Sequence, residues 1–175
     1  MECILGGVLH SGQICMSTDR IIIHAEIADK FLEILKATFS AISSSAPDPP
    51  LLVNAAAKAR LQEVVSKAFS EGASSLLGSI EQLQPKETNG SSPPNEEAME
   101  MANDTEYGLS AAVFTQDLRK GFAIAKRLES GAVHINSMSV RGEPALPMGG
   151  VKKSGWGRFN TVLGMEEFLI TKSVT

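Results

Sequence analysis

Cysteine and the large aromatics are scarce: the 175 residues include two Cys, one Trp and one Tyr. Cys3 and Cys15 are too few for a disulfide framework, which points to a reducing, cytoplasmic setting. One Trp and one Tyr offer little surface for stacking nucleic-acid bases. Basic charge is short as well, with 16 Lys and Arg against 20 Asp and Glu for a net charge of −4. That argues against a nucleic-acid partner and leaves no polybasic anchor for a membrane. No apolar run approaches the roughly 20 residues that span a bilayer. The opening MECILGGVLHSGQIC carries Glu2 where a secretory signal carries Lys or Arg, and it includes His10 and Gln13. The three histidines form no Cys/His/Asp cluster at ligand spacing, so no metal is expected. No phosphate-cradling glycine motif, whether GxGxxG or Walker type, occurs either.

What is present is a globular balance. Hydrophobic residues make up 43% and charged residues 21%, enough apolar side chain for one domain over 1–175. Ile4, Leu5, Val8 and Leu9 read as a helix end running into the loop Ser11-Gly12-Gln13-Ile14-Cys15. Arg20–His24 is a β-branched run that predicts a buried strand. Over 25–42, Ile27, Phe31, Ile34, Leu35, Phe39 and Ile42 recur at helical spacing, and the Ser/Pro tract to Pro50 ends that helix. Asn54 is suited to cap a second helix, with Leu61, Val64, Val65, Ala68 and Phe69 on one face and Gly72 as its stop. The polar tract 84–95 predicts an exposed or disordered loop, after which Asn95 caps a short helix carrying Met99 and Met101. Leu109–Thr115 and Ala132–Asn136 read as strands. The helix between them is capped by Asp117, turns Leu118, Phe122, Ala125 and Leu128 inward, and ends at Gly131. A Gly/Pro-containing loop follows over 137–158, then a last strand over 168–175. Alternating strands and helices predict an α/β fold with a parallel sheet.

Three stretches resemble the catalytic domain of the NAD(P)-dependent aldehyde dehydrogenase superfamily. Gly12-Gln-Ile-Cys15 with Arg20 resembles the nucleophile motif. Asn103-Asp-Thr-Glu-Tyr-Gly-Leu-Ser-Ala111 resembles a helix-to-strand junction. Gly149-Gly-Val-Lys-Lys-Ser-Gly-Trp-Gly-Arg158, preceded by Gly131-Ala-Val-His-Ile-Asn136, resembles the C-terminal signature. They occur in the family's order, and 131–175 most resembles members acting on aromatic aldehydes, such as salicylaldehyde dehydrogenases. The resemblance implies a shortened three-layer α/β catalytic domain. It also implies that 168–175 joins an intersubunit sheet, hence a homo-oligomer.

The departures from the family pattern are equally specific. A dinucleotide-binding domain, the Glu-Leu-Gly-Gly segment with the general base, and the oxyanion-hole Asn have no counterpart in this sequence. Between Gly78 and Asn95 the expected Glu-x-Phe-Gly-Pro stretch is replaced by a polar tract. No bound cofactor is therefore expected, although the parent family uses NAD(P).

By resemblance, Cys15 is the thiol that attacks an aldehyde carbon, aided by its own backbone N–H; the alternative is a cysteine that merely packs. With the family's base missing, His10 and His134 are candidate partners for the thiol, or ordinary histidines. Gln13, Asn136, Met138, Arg141, Leu146 and Met148 are candidate substrate contacts, since 137–148 resembles the segment lining the family's substrate tunnel. An ordinary surface loop is the alternative there. Lys152, Lys153 and Arg158 read as a solvated face.

Three functions follow. The first is a cofactor-independent enzyme performing non-oxidative isomerisation, cyclisation or addition on an aldehyde or enone, as in secondary metabolism. The second is aldehyde oxidation, residual or completed by a partner supplying the missing domain. The third is a non-catalytic subunit or a decayed gene product, against which the clean apolar face at Leu61, Val64, Val65 and Phe69 speaks.

Overall fold

A computed structural model of the chain describes residues 2–45, 51–77 and 95–174. These fall into two compact units, one from Ile23–Pro93 and the other from Glu2–Ile22 together with Pro94–Thr175.

The first unit carries two helices, α2 (Ala25–Ser45) and α3 (Ala55–Ser70). α3 starts where the sequence predicts, because the Asn54 side chain accepts from the Ala57 N–H at 2.8 Å. It stops at Gly72, whose φ of +102° turns the chain. Ala73 N–H then reaches Ala68 O, and Gly72 N–H reaches Phe69 O, each at 3.0 Å; this pair of bonds is a Schellman cap. The apolar faces of both helices are only half covered. Ile27, Ile34, Leu61 and Val64 are all at least half exposed. α2 also runs through Ser45, beyond the expected end at Ile42. The tract 84–94 lies outside the described residues.

The second unit opens with α1 (Glu2–Val8) and contains α4 (Asn95–Asn103), β1 (Tyr107–Gly108), β2 (Ser110–Val113), α5 (Leu118–Ala125), β3 (Ala132–Ile135), β4 (Val151–Lys152) and α6 (Thr161–Glu166). β2 and β3 pair in parallel, with Ala112 opposite His134, and α5 makes the crossover between them. β1 pairs antiparallel with β4. The unit is thus a small βαβ element with an added hairpin-like pair, an α/β arrangement with a parallel sheet as expected. Its buried hydrophobic side chains are Ile4, Met99, Val113 and Met148.

Two expectations about elements are corrected. Arg20–His24 forms no strand, because a β-branched run becomes one only beside a neighbour that completes its ladder. Residues 169–174 join no ladder within the single chain, as a segment expected to pair between subunits would. On α5, Leu118 and Phe122 point outward, at 57% and 59% exposure. The buried residue is Gly121, where a Cβ would sit 3.1 Å from the Thr115 side chain and 3.4 Å from that of Ile135 on β3.

One asparagine and two basic residues explain why the junctions carry those residue types. Asn103 donates to Arg127 O and accepts from Glu129 N–H, both at 2.9 Å, pinning the end of α4 to the turn after α5. Lys152 donates to Asn103 O at 2.7 Å and Thr105 O at 3.1 Å, and pairs with Glu129. Arg158 donates to Gly150 O and Gly157 O. Lys152 and Arg158 therefore also clamp main-chain carbonyls, which the solvated face read from the sequence did not include, while Lys153 is exposed as expected. The glycines of the signature permit backbone contact: a Cβ on Gly131 would lie 1.6 Å from Gly149 O.

Candidate active site

After α1 the chain makes an unusual bend. His10, Ser11 and Gly12 are all left-handed, with φ of 52°, 57° and 73°. Such conformations are costly for the two side-chain-bearing residues. They are held by Gln13, whose backbone N–H and side-chain Nε2 both donate to His10 O, at 3.1 and 3.2 Å. The chain then enters a tight turn, closed by Ser17 N–H to Ile14 O at 2.8 Å and by Ile14 N–H to Ser17 Oγ at 3.3 Å. Cys15 and Met16 are the two central residues of that turn, which displays Cys15 as an exposed free thiol. Among the described residues no hydrogen bond engages the Cys15 N–H, leaving it available to a carbonyl oxygen.

The turn is anchored on both sides. Thr18 N–H donates to Gly6 O at 3.0 Å, and a Cβ on Gly6 would come within 2.5 Å of Thr18 Oγ1, so only glycine admits this approach. Arg20 reaches the end of α4, donating to Met101 O and, at 3.1 Å, to Asp104 O; a cation there suits the helix's negative pole. Ser139, 6% exposed, donates to Met16 O at 2.8 Å and shares a 3.1 Å bond with Thr18 Oγ1. Sequence reading missed Ser17 and Ser139, because isolated serines carry no periodic signal.

Ser139 belongs to the segment that lines an open cleft of about 450 Å³, bordered by Glu2, Ile135, Asn136, Ser137, Met138, Val140 and Arg141. Three predicted contacts meet there. Met138 lines it, its N–H held by Glu2 Oε2 at 3.1 Å. Arg141 lines it and donates to Ser137 Oγ at 3.2 Å. Asn136 lines it too, but its amide is engaged by both backbone groups of Thr115. Leu146 and Met148 lie outside the cleft: Leu146 is 60% exposed, and Met148 is buried and bridged to Phe159. Glu143 accepts from Ala145 N–H at 3.3 Å.

Neither candidate histidine is hydrogen-bonded to Cys15 among the described residues. His10 is exposed in the bend. His134 sits on β3 with its Nε2 buried and unpartnered, and burial together with the Arg141 charge holds its pKa below the usual 6.5. Burial pushes the Cys3 thiol up, which disfavours its thiolate.

A sequence model of the "Aldehyde dehydrogenase family" matches residues 1–94 and 91–174. The chain belongs to the aldehyde dehydrogenase family. It is 37% identical to a vanillin dehydrogenase of Pseudomonas fluorescens over 97% of this chain and 41% of that protein. It is 34% identical to benzaldehyde dehydrogenase YfmT of Bacillus subtilis (strain 168), over 95% of this chain and 40% of the relative. Among solved structures it is similar to a salicylaldehyde dehydrogenase of Pseudomonas putida G7 complexed with salicylaldehyde. There the TM-score is 0.80 at 28% identity, covering 95% of this chain and 40% of the other. The chain thus spans about two fifths of the length of these aldehyde dehydrogenases. The two family matches overlap at 91–94.

The family uses NAD(P), and a similar succinic semialdehyde dehydrogenase from Streptococcus pyogenes was solved with NADP+. Two helix N-termini of this chain, where a dinucleotide's phosphates could sit, are already occupied. The N-termini of α3 and α5 are filled by their own caps: Asn54 on Ala57 N–H, and Asp117 on Arg119 N–H at 2.9 Å and Lys120 N–H at 3.3 Å. The cleft is lined by one carboxylate, Glu2, and one cation, Arg141. Among the described residues there is no group of three His, Cys, Asp or Glu suited to a metal, and no helix long and apolar enough to cross a membrane.

Proposed function

We propose that this chain captures an aromatic aldehyde on Cys15 and processes it without a bound nucleotide. The thiolate sulfur forms a bond to the carbonyl carbon, the carbonyl π pair moves to oxygen, and water protonates that oxygen to give a hemithioacetal. Reversal returns the aldehyde. With the carbon held tetrahedral and its neighbours fixed, isomerisation, cyclisation or addition gains from positioning alone. The observation that carries this reading is Cys15 itself, an exposed thiol at the crest of a turn tied by Ser139 to the wall of a cleft. The vanillin, benzaldehyde and salicylaldehyde dehydrogenases among the relatives supply the substrate class.

The second reading is NAD(P)-linked oxidation, residual or completed by a partner that holds the dinucleotide; the relatives' names, all dehydrogenases, favour it. In either case the chain works in a reducing, cytoplasmic compartment where Cys15 stays a thiol. It self-associates through its C-terminal apolar segment and has no nucleic-acid or membrane partner. The test is incubation with vanillin, benzaldehyde and salicylaldehyde, with and without NAD+ or NADP+, followed by chromatography and absorbance at the reduced-nucleotide band. Nucleotide-independent conversion that disappears in Cys15→Ala supports the first reading. Acid formation coupled to nucleotide reduction establishes the second. No conversion under any condition points to a non-catalytic subunit.

A further inference from the structure

We infer that Ser139 is a positioning residue for Cys15, locking the nucleophile turn to the cleft wall so that thiol and bound aldehyde share one frame. The inference rests on the aldehyde-capture reading for its purpose, but its geometry stands apart from it. Ser139 is 123 positions away from Met16 in sequence and is the one buried polar side chain among the described residues. Its hydroxyl has a single proton, which goes to Met16 O at 2.8 Å. Thr18 Oγ1 must therefore be the donor in the 3.1 Å contact with Ser139 Oγ. The result is a directed chain, Thr18 to Ser139 to Met16 carbonyl, ending on the Met16–Ser17 peptide, one residue beyond Cys15 in the same turn.

The base of this chain is tied by further hydrogen bonds. Ser139 O accepts from Ser110 Oγ of β2 at 2.7 Å, and its neighbour Met138 is held by Glu2 of α1. β2 is in turn half of the parallel pair. The same stretch of backbone thus carries Met138, Val140 and Arg141 into the cleft and fixes the orientation of the Cys15 turn. Cys15 itself is exposed, and the carbonyl at Met16 is a point at which the direction of its turn can be set. A small displacement between a nucleophile and its carbonyl target costs heavily in rate.

The test compares wild type with Ser139→Ala, Ser139→Thr, which keeps the hydroxyl, and Thr18→Val, which keeps the shape but removes the orienting donor. Two readouts are taken on the full chain: amide hydrogen exchange at 14–18 and at the β2–β3 ladder, and protection of Cys15 from iodoacetamide by benzaldehyde, with Cys3 labelling as internal reference. Ser139→Ala is expected to speed exchange at 14–18 about tenfold, the effect of losing about one hydrogen bond from a locally opening segment. The ladder and Cys3 should be unchanged and aldehyde protection lost. Thr18→Val should fall between, and Ser139→Thr should restore wild-type behaviour. Unchanged exchange at 14–18 overturns the inference, as does acceleration spread equally over the ladder, which marks a merely structural serine. If exchange responds as expected but benzaldehyde fails to protect wild-type Cys15, the positioning role stands and the aldehyde-capture reading falls.

Discussion

Asn136 holds Thr115 by both of its backbone groups: Oδ1 accepts from the Thr115 N–H and Nδ2 donates to the Thr115 C=O, each at 2.9 Å. The amide acts as a substitute peptide, continuing the pairing of β2 and β3 one step beyond Val113 and Ile135. Asn is also suited to the φ of 56° at this position. Asn136→Ala loses both bonds and strains the backbone, and is expected to destabilise the chain by about 2 kcal/mol. Asn136→Gly should cost less, because it relieves the strain. Urea unfolding checks the order; equal losses for Ala and Gly would mean that φ plays no part.

Gly131 faces a harder limit. A Cβ there would overlap Gly149 O, whereas one at Gly142 would meet nothing within 4 Å. Gly131→Ala is expected to cost more than about 3 kcal/mol or to prevent folding, and Gly142→Ala to stay within about 0.5 kcal/mol of wild type. Thermal melts of the pair decide this.

His134 predicts a pH dependence. Its folded-state pKa lies below 6.5, through burial first and the Arg141 charge second. The unfolded chain therefore takes up a proton more readily than the folded one. Stability from this group is complete above pH 6.5 and declines as pH falls from there through the folded value. His134→Leu removes the unpartnered buried nitrogen and should flatten the melting temperature over that window. A slope identical to that of wild type would reject the assignment.

The C-terminal segment presents an apolar surface, with Phe168 at 89%, Ile170 at 96% and Val174 at 87% exposure. A strip of this kind favours self-association. Light scattering is expected to find an oligomer that Ile170→Lys dissociates. A wild-type monomer with no tendency to associate would contradict the proposal.

Much of this was legible in the sequence, and the remainder has identifiable causes. Helices α3 and α5 were visible because Asn54 and Asp117 act locally, satisfying amides two or three residues away. The strands at 110–113 and 132–135 were visible as two short apolar runs flanking one helix, and the alternation of strand and helix pointed to a parallel sheet. The strand expected at Arg20–His24 failed because propensity cannot supply a neighbour. The outward turn of Leu118 and Phe122 was hidden because Gly121, not the apolar periodicity, sets which side of α5 approaches β3. Within the site, motif resemblance pointed to Cys15, Asn136, Met138 and Arg141. Ser139 stayed invisible because its meaning lies in partners more than a hundred residues away.

The most direct test of the central claim is carbon NMR of carbonyl-labelled benzaldehyde mixed with the full chain in the absence of nucleotide. The account predicts a hemithioacetal resonance in wild type that vanishes in Cys15→Ala and persists in Cys3→Ala. An unchanged aldehyde signal in wild type, or an adduct that survives Cys15→Ala, would contradict it.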